Sequence, residues 1–287
     1  MQTESLLTRT KKLLASYDLR ARKGLGQHFL VDGSVLKKIT TAAELNPADT
    51  IIEVGPGLGV LTQELVKQAG KVIAIELDKK LAEILEENFS DSGKVTIVNE
   101  DVLKIQPADL LGKQTNYKVV ANLPYYITSA VIRHFLETEV KPNLMVLMVQ
   151  QEVAKQITAQ PGEMSLLSVS VQLYGKPKMV SKISAQCFYP SPKVDSAILK
   201  IEVYPKPEIA KPDIPGFFNI VRAGFSANRK QLANSLANGL KAPKTDIIPL
   251  LQQAAIDPTR RAETLTIEEW HSLWDVFKHK GSKDAGH

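Results

Sequence analysis

The sequence contains few of the residues that build disulfides and metal sites. Its 287 residues include a single cysteine, Cys187, and five scattered histidines. One thiol cannot form an internal disulfide, and a structural zinc site needs clustered Cys and His side chains. We therefore expect no disulfide and no metal. The low cysteine content is typical of a protein in the reducing cytoplasm.

Long apolar runs are also missing. No run approaches the roughly 18 residues that a membrane-spanning helix needs, and the apolar run at 144–149 predicts a buried strand. We therefore expect no membrane span. The hydrophobic and charged contents, 44% and 23%, are ordinary for a soluble globular protein. A chain of this length can form one large domain, or a large domain with a small one.

Acidic residues are absent from one basic stretch. Residues 222–244 carry five basic side chains and no acidic one, and residues 1–23 carry six basic side chains and two acidic ones. A solvated helix face would explain either cluster alone, but the two together indicate a polyanionic partner. The candidate nucleic-acid contacts are Arg22, Lys23, Arg222, Arg229 and Lys230.

The order of strand and helix patterns predicts an α/β fold. Between residues 50 and 203, short β-rich runs alternate with helical patterns. This alternation is the signature of a Rossmann-like, mostly parallel sheet with helices on both faces. The runs 178–184 and 196–203 predict an antiparallel pair at one edge. Four prolines between residues 205 and 215 indicate a linker, and the pattern beyond them is helical.

These patterns divide the chain into four parts. We expect a basic N-terminal helix with a cofactor-covering loop in residues 1–30, and a cofactor-binding domain in residues 31–204. Residues 205–277 predict a small all-helical domain that binds RNA. The polar residues 278–287 predict a disordered tail.

A glycine-rich segment follows the first strand of the predicted sheet. Gly55, Gly57 and Gly59 are spaced G-x-G-x-G, and glycine permits a tight turn with close approach of the backbone to a ligand. A dinucleotide site instead has the spacing G-x-G-x-x-G and binds a pyrophosphate. The spacing found here, preceded by Glu53, favours a positively charged cofactor without phosphates, such as S-adenosylmethionine.

Two acids follow the next two predicted strands. The carboxylate of Glu76 could accept both ribose hydroxyls of a cofactor, and that of Asp101 its adenine amine. A single acid at a strand end is usually structural, but three such features at successive strand ends indicate a ligand site. Upstream, the His28 ring and the Leu30 backbone could meet the methionine end of the cofactor, although a histidine is more often a capping or packing group.

The segment Asn122-Leu123-Pro124-Tyr125 follows another predicted strand. The Asn122 side-chain oxygen and the Leu123 carbonyl could accept the two hydrogens of an exocyclic amine, while Tyr125 stacks on the base. Pro124 restricts Leu123 to extended conformations. The alternative is a strand end that runs into a proline turn. Phe188 is a second candidate for contact with the base, with a core aromatic as the other interpretation.

Together these motifs resemble those of the KsgA/RsmA family, the small-subunit ribosomal RNA adenine dimethyltransferases. The matching segments are residues 26–30, 53–59, 76–78, 122–125 and 188–196. The resemblance implies a class I methyltransferase fold and transfer of four methyl groups from S-adenosylmethionine to two adjacent adenosines near the 3′ end of small-subunit rRNA. It implies cofactor contacts from His28, Leu30, Gly55, Glu76, Asp101 and Asn122, and Gly57 of the glycine turn is a further candidate. The candidate catalytic residues are Asn122, Leu123, Pro124, Tyr125 and Phe188.

Two alternatives remain open. A large-subunit rRNA dimethyltransferase of the macrolide-resistance type shares these cofactor motifs and differs chiefly in the helical domain. A non-catalytic RNA- or DNA-binding assembly or transcription factor would keep the fold, but decay of the glycine turn or of Asn122 would then be expected, and both are intact. A monomer is the simplest expectation for an enzyme that acts on the small ribosomal subunit.

Overall fold

The computed structural model describes residues 4–19, 26–207, 209–227 and 229–284. The strands in these residues are β1 (Phe29–Leu30), β2 (Thr50–Val54), β3 (Lys71–Glu76), β4 (Val95–Asn99), β5 (Lys118–Asn122), β6 (Leu144–Gln150), β7 (Gly175–Ile183), β8 (Phe188–Tyr189) and β9 (Ser196–Val203). The α-helices are α1 (Leu6–Ser16), α2 (Gly33–Ala42), α3 (Val60–Gln68), α4 (Lys79–Phe89), α5 (Pro107–Leu111), α6 (Thr128–Glu137), α7 (Gln151–Ile157), α8 (Leu166–Gln172), α9 (Ile214–Gly224), α10 (Leu232–Leu240), α11 (Lys244–Gln253) and α12 (Ile267–Asp284).

A seven-stranded sheet has the order β4-β3-β2-β5-β6-β9-β7. Strands β2 to β6 pair in parallel, and β9 pairs antiparallel with β6. The chain order reverses between β2 and β5, and open α/β sheets bind ligands outside the carboxyl ends of the strands at such a point. A separate two-stranded sheet joins β1 to β8, with Phe29 opposite Tyr189.

The central strands are almost entirely buried, which explains their continuous apolar sequence. Strand β2 is buried at every position, and β6 at every position before Gln150. Helices α2 and α3 pack on this sheet through Leu36, Ile39 and Leu65, in one core cluster with Val120 and Met148. Helices α2 and α4 each begin at a capping carboxylate: Asp32 accepts from the N–H groups of Ser34 and Val35, and Asp78 from that of Lys80.

The chain forms two compact units. The first comprises residues 1–154 and 176–205, and the second comprises residues 155–175 and 206–287. In the second unit, Trp270 and Phe217 are fully buried among the helices. Gly239 allows α10 to approach α9 closely, because a Cβ there would clash with Ala223. Arg260 forms a bidentate ion pair with Glu269 in the first turn of α12.

The predicted fold class is confirmed: a mostly parallel sheet flanked by helices, with a small helical unit. The antiparallel strand β9 lies one position inside the edge strand β7. Residues 155–175 were expected in the cofactor-binding domain, but they pack in the second unit, where Gly162 and Met164 both donate to the Glu263 carbonyl. The predicted disordered tail is wrong for residues 278–284, which continue α12.

No α-helix in the described residues is both long enough and apolar enough to cross a membrane. The same residues contain no group of three or more His, Cys, Asp or Glu side chains placed to hold a metal ion.

Candidate cofactor and base-binding cleft

A cleft of about 350 Å³ opens at the carboxyl ends of β2, β3, β4 and β5 in the first unit. Its volume lies within the usual range for small-molecule sites. The lining comes mainly from residues 26–30, 53–58, 75–77, 100–103 and 122–127. Five segments that are far apart in sequence therefore meet at the point where the sheet topology predicts a ligand site.

The glycine turn, residues 55–59, connects β2 to α3, and residues 55–58 line the cleft. Gly57 has a φ of 59° and Gly59 a φ of 78°, conformations that other residues adopt at a cost. A Cβ on Gly57 would lie 3.3 Å from the Phe29 ring, and one on Gly59 would lie 2.9 Å from Leu85. Glycine is therefore required here both by backbone conformation and by close packing.

The Glu76 carboxylate connects this turn to the end of β3. Its Oε2 accepts from the Gly57 N–H at 3.0 Å, and its Oε1 from the Asp78 N–H at 2.9 Å. The side chain is only 6% exposed, and burial raises its pKa despite these two hydrogen bonds. Each carboxylate oxygen has a second lone pair, so Glu76 can still accept hydrogen bonds from hydroxyl groups of a ligand.

Glu53 lies deeper in the same lining. It is 1% exposed, and its Oε2 has no hydrogen-bond partner among the described residues. Burial raises the pKa of this carboxyl to about 8, and the nearby charge of Glu76 adds to the rise. This pKa leaves the carboxyl largely protonated near neutral pH, so its free oxygen is a neutral polar group. A buried polar group without a partner is costly in a folded protein, and it indicates a position that a ligand completes.

We call Glu53, Glu76, Glu100 and Asp101 the acidic wall of the cleft. Asp101 accepts from the Leu103 N–H at 3.0 Å, which caps a short 3₁₀ turn and fixes the direction of the carboxylate. In the part of the chain that the structure describes, no Lys or Arg lines the cleft. The lining thus suits a ligand with positive charge and hydroxyl groups, and it lacks the Lys and Arg side chains that commonly bind phosphates.

Residues 122–127, which we call the amide wall, face the cleft from the end of β5. Asn122 donates from Nδ2 to the His28 carbonyl at 3.1 Å, which leaves its Oδ1 without a donor among the described residues. Leu123 is nearly buried and donates its N–H to the Met148 carbonyl, so the end of β5 is held in place. Two oxygens, Asn122 Oδ1 and the Leu123 carbonyl, can therefore accept hydrogen bonds from a ligand.

Tyr125 is held by contacts with two distant parts of the chain, at His28 and Ser196. Its ring stacks on His28, with 5.9 Å between centroids, and its hydroxyl shares a 2.8 Å hydrogen bond with Ser196. The His28 Nδ1 lies 2.7 Å from the Pro190 carbonyl. Burial raises the pKa of the Tyr125 hydroxyl, which keeps its proton available for this contact. The aromatic ring is thus fixed in place before any ligand binds.

The structure brings most of the predicted site residues together. All the candidate cofactor contacts line the cleft, as do residues 122–125. Phe188 does not line it: the side chain is 4% exposed, pairs with Leu30 across β1 and β8, and belongs to the core cluster. This position favours the interpretation of Phe188 as a core aromatic.

The structure describes three of the five predicted RNA contacts. Arg22 and Lys23 lie outside the described residues. Arg222, Arg229 and Lys230 are exposed in the second unit, and none forms an ion pair within the part of the chain described. The sequence patterns did not indicate Glu100, Leu103, Tyr126 or Ser196 as site residues, although Tyr126 directly follows the Asn-Leu-Pro-Tyr segment.

The mostly parallel sheet, with a glycine turn, acidic side chains and an amide at successive strand ends, is the arrangement of a class I methyltransferase. The sequence matches the ribosomal RNA adenine dimethylase family over residues 18–279. It is 54% identical over 275 residues to ribosomal RNA small subunit methyltransferase A of Dehalococcoides mccartyi, covering 96% of this chain and 94% of that protein. The chain belongs to the ribosomal RNA adenine dimethylase family.

Two solved structures share the fold. A dimethyladenosine transferase from Plasmodium falciparum aligns with a TM-score of 0.78 at 26% identity, covering 88% of this chain and 98% of that one. The 23S rRNA methyltransferase ErmE aligns with a TM-score of 0.71 at 28% identity, covering 87% and 99%. The chain is thus an rRNA adenine dimethyltransferase, and enzymes of this family use S-adenosylmethionine.

Proposed function

We propose that this protein dimethylates the exocyclic amines of two adjacent adenosines near the 3′ end of small-subunit rRNA, as a cytoplasmic monomer. The observation that carries this proposal is the position of Asn122. Its amide is fixed by the His28 carbonyl, and it lines the same cleft as the acidic wall. A group that can bind an amine therefore faces a site suited to a cationic cofactor.

The acidic wall fits S-adenosylmethionine, which supplies an electrophilic methyl group when bound. Glu76 would accept the ribose hydroxyls, Asp101 the adenine amine, and the backbone at Gly55 and Gly57 would lie beneath the cofactor. His28 and Leu30 would cover its methionine end. Negative charge from the acidic wall would favour a cation in a partly dehydrated cleft.

The amide wall would hold the target base. Asn122 Oδ1 and the Leu123 carbonyl would accept the two hydrogens of the adenine amine and so keep its lone pair free to attack. Tyr125 would stack on the base, which must first leave its helix or loop at a cost of a few kcal/mol. As positive charge develops on nitrogen, the same two oxygens would stabilise it until the methylated amine releases a proton to solvent. Positioning would supply most of the rate.

Three features favour this function over the alternatives. The identity of 54% is with a small-subunit enzyme, against 28% with the 23S rRNA enzyme. The glycine turn and Asn122 are both intact. Catalysis requires both features, whereas a non-catalytic factor could lose either.

The decisive experiment incubates the enzyme with methyl-labelled cofactor and unmethylated ribosomal subunits, followed by mapping of the modified nucleotides. We expect N6,N6-dimethyladenosine at two adjacent positions in small-subunit rRNA. Label in large-subunit rRNA would instead identify the macrolide-resistance activity, and absence of label in both subunits would contradict the proposal.

We also propose that the second unit binds rRNA phosphates through Arg222, Arg229 and Lys230. In Arg229→Gln and Lys230→Gln variants, the slope of log K against log salt should fall by about one for each lost phosphate contact. Lys113→Gln, an exposed lysine of the first unit, is the matched control. An unchanged slope in both test variants would contradict a phosphate-binding role.

A further inference from the structure

Tyr126 is the most exposed of the large hydrophobic side chains in the described residues. It is 60% exposed, whereas Tyr125 beside it is half-buried. Tyr126 nevertheless lines the cleft, together with the exposed Leu77 and Leu103. Exposed apolar side chains scattered singly are ordinary, but several at the opening of one cleft indicate a binding surface.

The backbone fixes where Tyr126 projects. The residue is the middle one of a 3₁₀ turn, Tyr125–Ile127, in which the Ile127 N–H donates to the Pro124 carbonyl at 3.2 Å. Helix α6 begins directly after the turn. Successive residues of a 3₁₀ turn point about 120° apart, so Tyr126 cannot share the direction of Tyr125.

A neighbouring glycine leaves room for the ring. Gly26 has a φ of 59°, and a Cβ there would lie 3.4 Å from Cδ1 of Tyr126. The ring therefore lies close to the Gly26 backbone, while most of its surface faces solvent. Within the described residues, the Tyr126 ring stacks on no other ring and its hydroxyl has no hydrogen-bond partner.

We infer that Tyr126 is a stacking platform for the nucleotide next to the adenosine held at the amide wall. The inference rests on the proposed function and adds a second subsite to it. Every base has a π-face that can stack on an aromatic side chain, and single-stranded RNA is recognised largely in this way. Tyr125 and Tyr126 are consecutive and both line the cleft, so the residue next to the one assigned to the target base carries a ring that faces solvent.

A protein partner would not account for the same features as well. Protein-binding surfaces are generally built from a broad patch with a desolvated centre. The exposed apolar side chains here are instead three residues that line one cleft, in the segments that also carry Glu76, Asp101 and Asn122. The neighbour of a flipped base has to lie at the opening of such a cleft, because it remains joined to that base through one phosphate.

The first test measures turnover on unmethylated small subunits with Tyr126→Ala, Tyr126→Leu and Tyr126→Phe. We expect Ala and Leu to raise the KM for the RNA substrate roughly ten-fold, and Phe to stay near the unchanged enzyme. The dissociation constant for the cofactor, measured by calorimetry, should not change, which also shows that each variant is folded. Tyr204→Ala removes an exposed tyrosine outside the cleft lining and is the matched control.

The second test separates stacking from a general loss of surface. A short RNA with two adjacent target adenosines is made with an abasic nucleotide on the 5′ or the 3′ side of the one that is methylated. We expect the abasic change on one side to weaken binding by the unchanged enzyme and to have little further effect on Tyr126→Ala. Additive effects on both sides, or equal KM values for Leu and Phe variants, would overturn the inference.

These outcomes are distinct from failure of the proposed function. If the unchanged enzyme labels no small-subunit adenosine, the function itself is wrong. If it labels them normally and the Tyr126 variants match it, only the second subsite is wrong.

Discussion

The two walls of the cleft differ in their chemistry, although both are built at strand ends of one sheet. The acidic wall contains four acidic side chains, of which Glu53 and Glu76 are almost fully buried. Burial keeps Glu53 largely protonated near neutral pH, so the negative charge of the wall comes mainly from the other three. The amide wall contains no charged side chain and offers an amide, a backbone carbonyl and aromatic rings. Charge suits a cofactor that arrives as a cation, whereas neutral acceptors suit an amine that becomes positive only during reaction.

Because the two walls have separate roles, a substitution in the amide wall should leave cofactor binding largely intact, and one in the acidic wall should leave the chemical step largely intact. The largest effect is expected at Asn122. Asn122→Ala removes an acceptor that acts mainly in the transition state, so kcat should fall by about 100- to 1,000-fold. Cofactor affinity, measured by calorimetry, should change only modestly.

Asn116→Ala is the control for this change, because Asn116 is exposed on the loop before β5. Near-normal turnover in Asn122→Ala would show that the amide wall does not act on the amine. An equally large loss of cofactor binding would show that the two walls are not separate.

The converse change lies at Glu76. Glu76→Gln removes the charge and one of the acceptors that hold Gly57 and Asp78. Cofactor affinity should fall roughly 10- to 100-fold, the usual size of a hydrogen bond to a charged group. With saturating cofactor, kcat should stay within a few-fold. Glu86→Gln, on the exposed face of α4, should bind the cofactor normally.

Glu53 allows a test of stability without cofactor. Its pKa is about 8 in the folded protein against 4.5 for the free side chain, so the folded state holds an extra proton between these values. The free energy of unfolding should therefore fall as pH rises through this range, by up to about 1.4 kcal/mol per pH unit from this group. Urea unfolding from pH 5.5 to 7.5 measures the slope.

In Glu53→Gln this contribution to the slope should vanish, because the neutral amide does not titrate. Burial raises the pKa of Glu76 as well, and a smaller dependence of the same sign should remain. If the free energy of unfolding depended on pH equally in the unchanged protein and in Glu53→Gln, Glu53 would be ionised in the folded state across this range.

The smallest effect is expected at Ser196, which fixes the Tyr125 hydroxyl. Ser196→Ala removes one neutral hydrogen bond, typically worth about 0.5–1.5 kcal/mol, so kcat should fall roughly 2- to 10-fold. Tyr125→Phe removes the same bond from the other side. The double variant should therefore be no worse than Tyr125→Phe alone, and fully additive losses would contradict this role for Ser196.

The two walls also differ in how far the sequence could predict them. Gly55, Glu76, Asp101 and Asn122 were placed in one cleft correctly, because parallel strands align their carboxyl ends and each residue follows a recognisable strand. The contact of Tyr125 with Ser196 spans 71 residues, and no local pattern carries it. Tyr126 was missed because exposure depends on the packing of the finished turn.

Other differences have similar physical causes. Phe188 lies in a strand of two residues, too short for a periodicity that would distinguish a core position from a site position. Residues 155–175 belong to the second unit, where they form backbone hydrogen bonds to Glu263. The prolines between residues 205 and 215 predicted a single linker, and such a pattern carries no information about hydrogen bonds made by an earlier segment. The composition of residues 278–284 predicted disorder, but these residues simply continue the preceding helix.

The pairing of β1 with β8 has a consequence for the order in which the enzyme is completed during its synthesis. When the first 150 residues have left the translating ribosome, all residues of both walls have been synthesised. The residues near 190 that complete their contacts have not. His28 still lacks Pro190, Phe29 lacks Tyr189, and the Tyr125 hydroxyl lacks its partner on β9. A nascent chain stalled at that length should therefore contain the cofactor acids without the contacts that complete the site. Maturation should wait for β8 and the start of β9, which are made some 40 residues later.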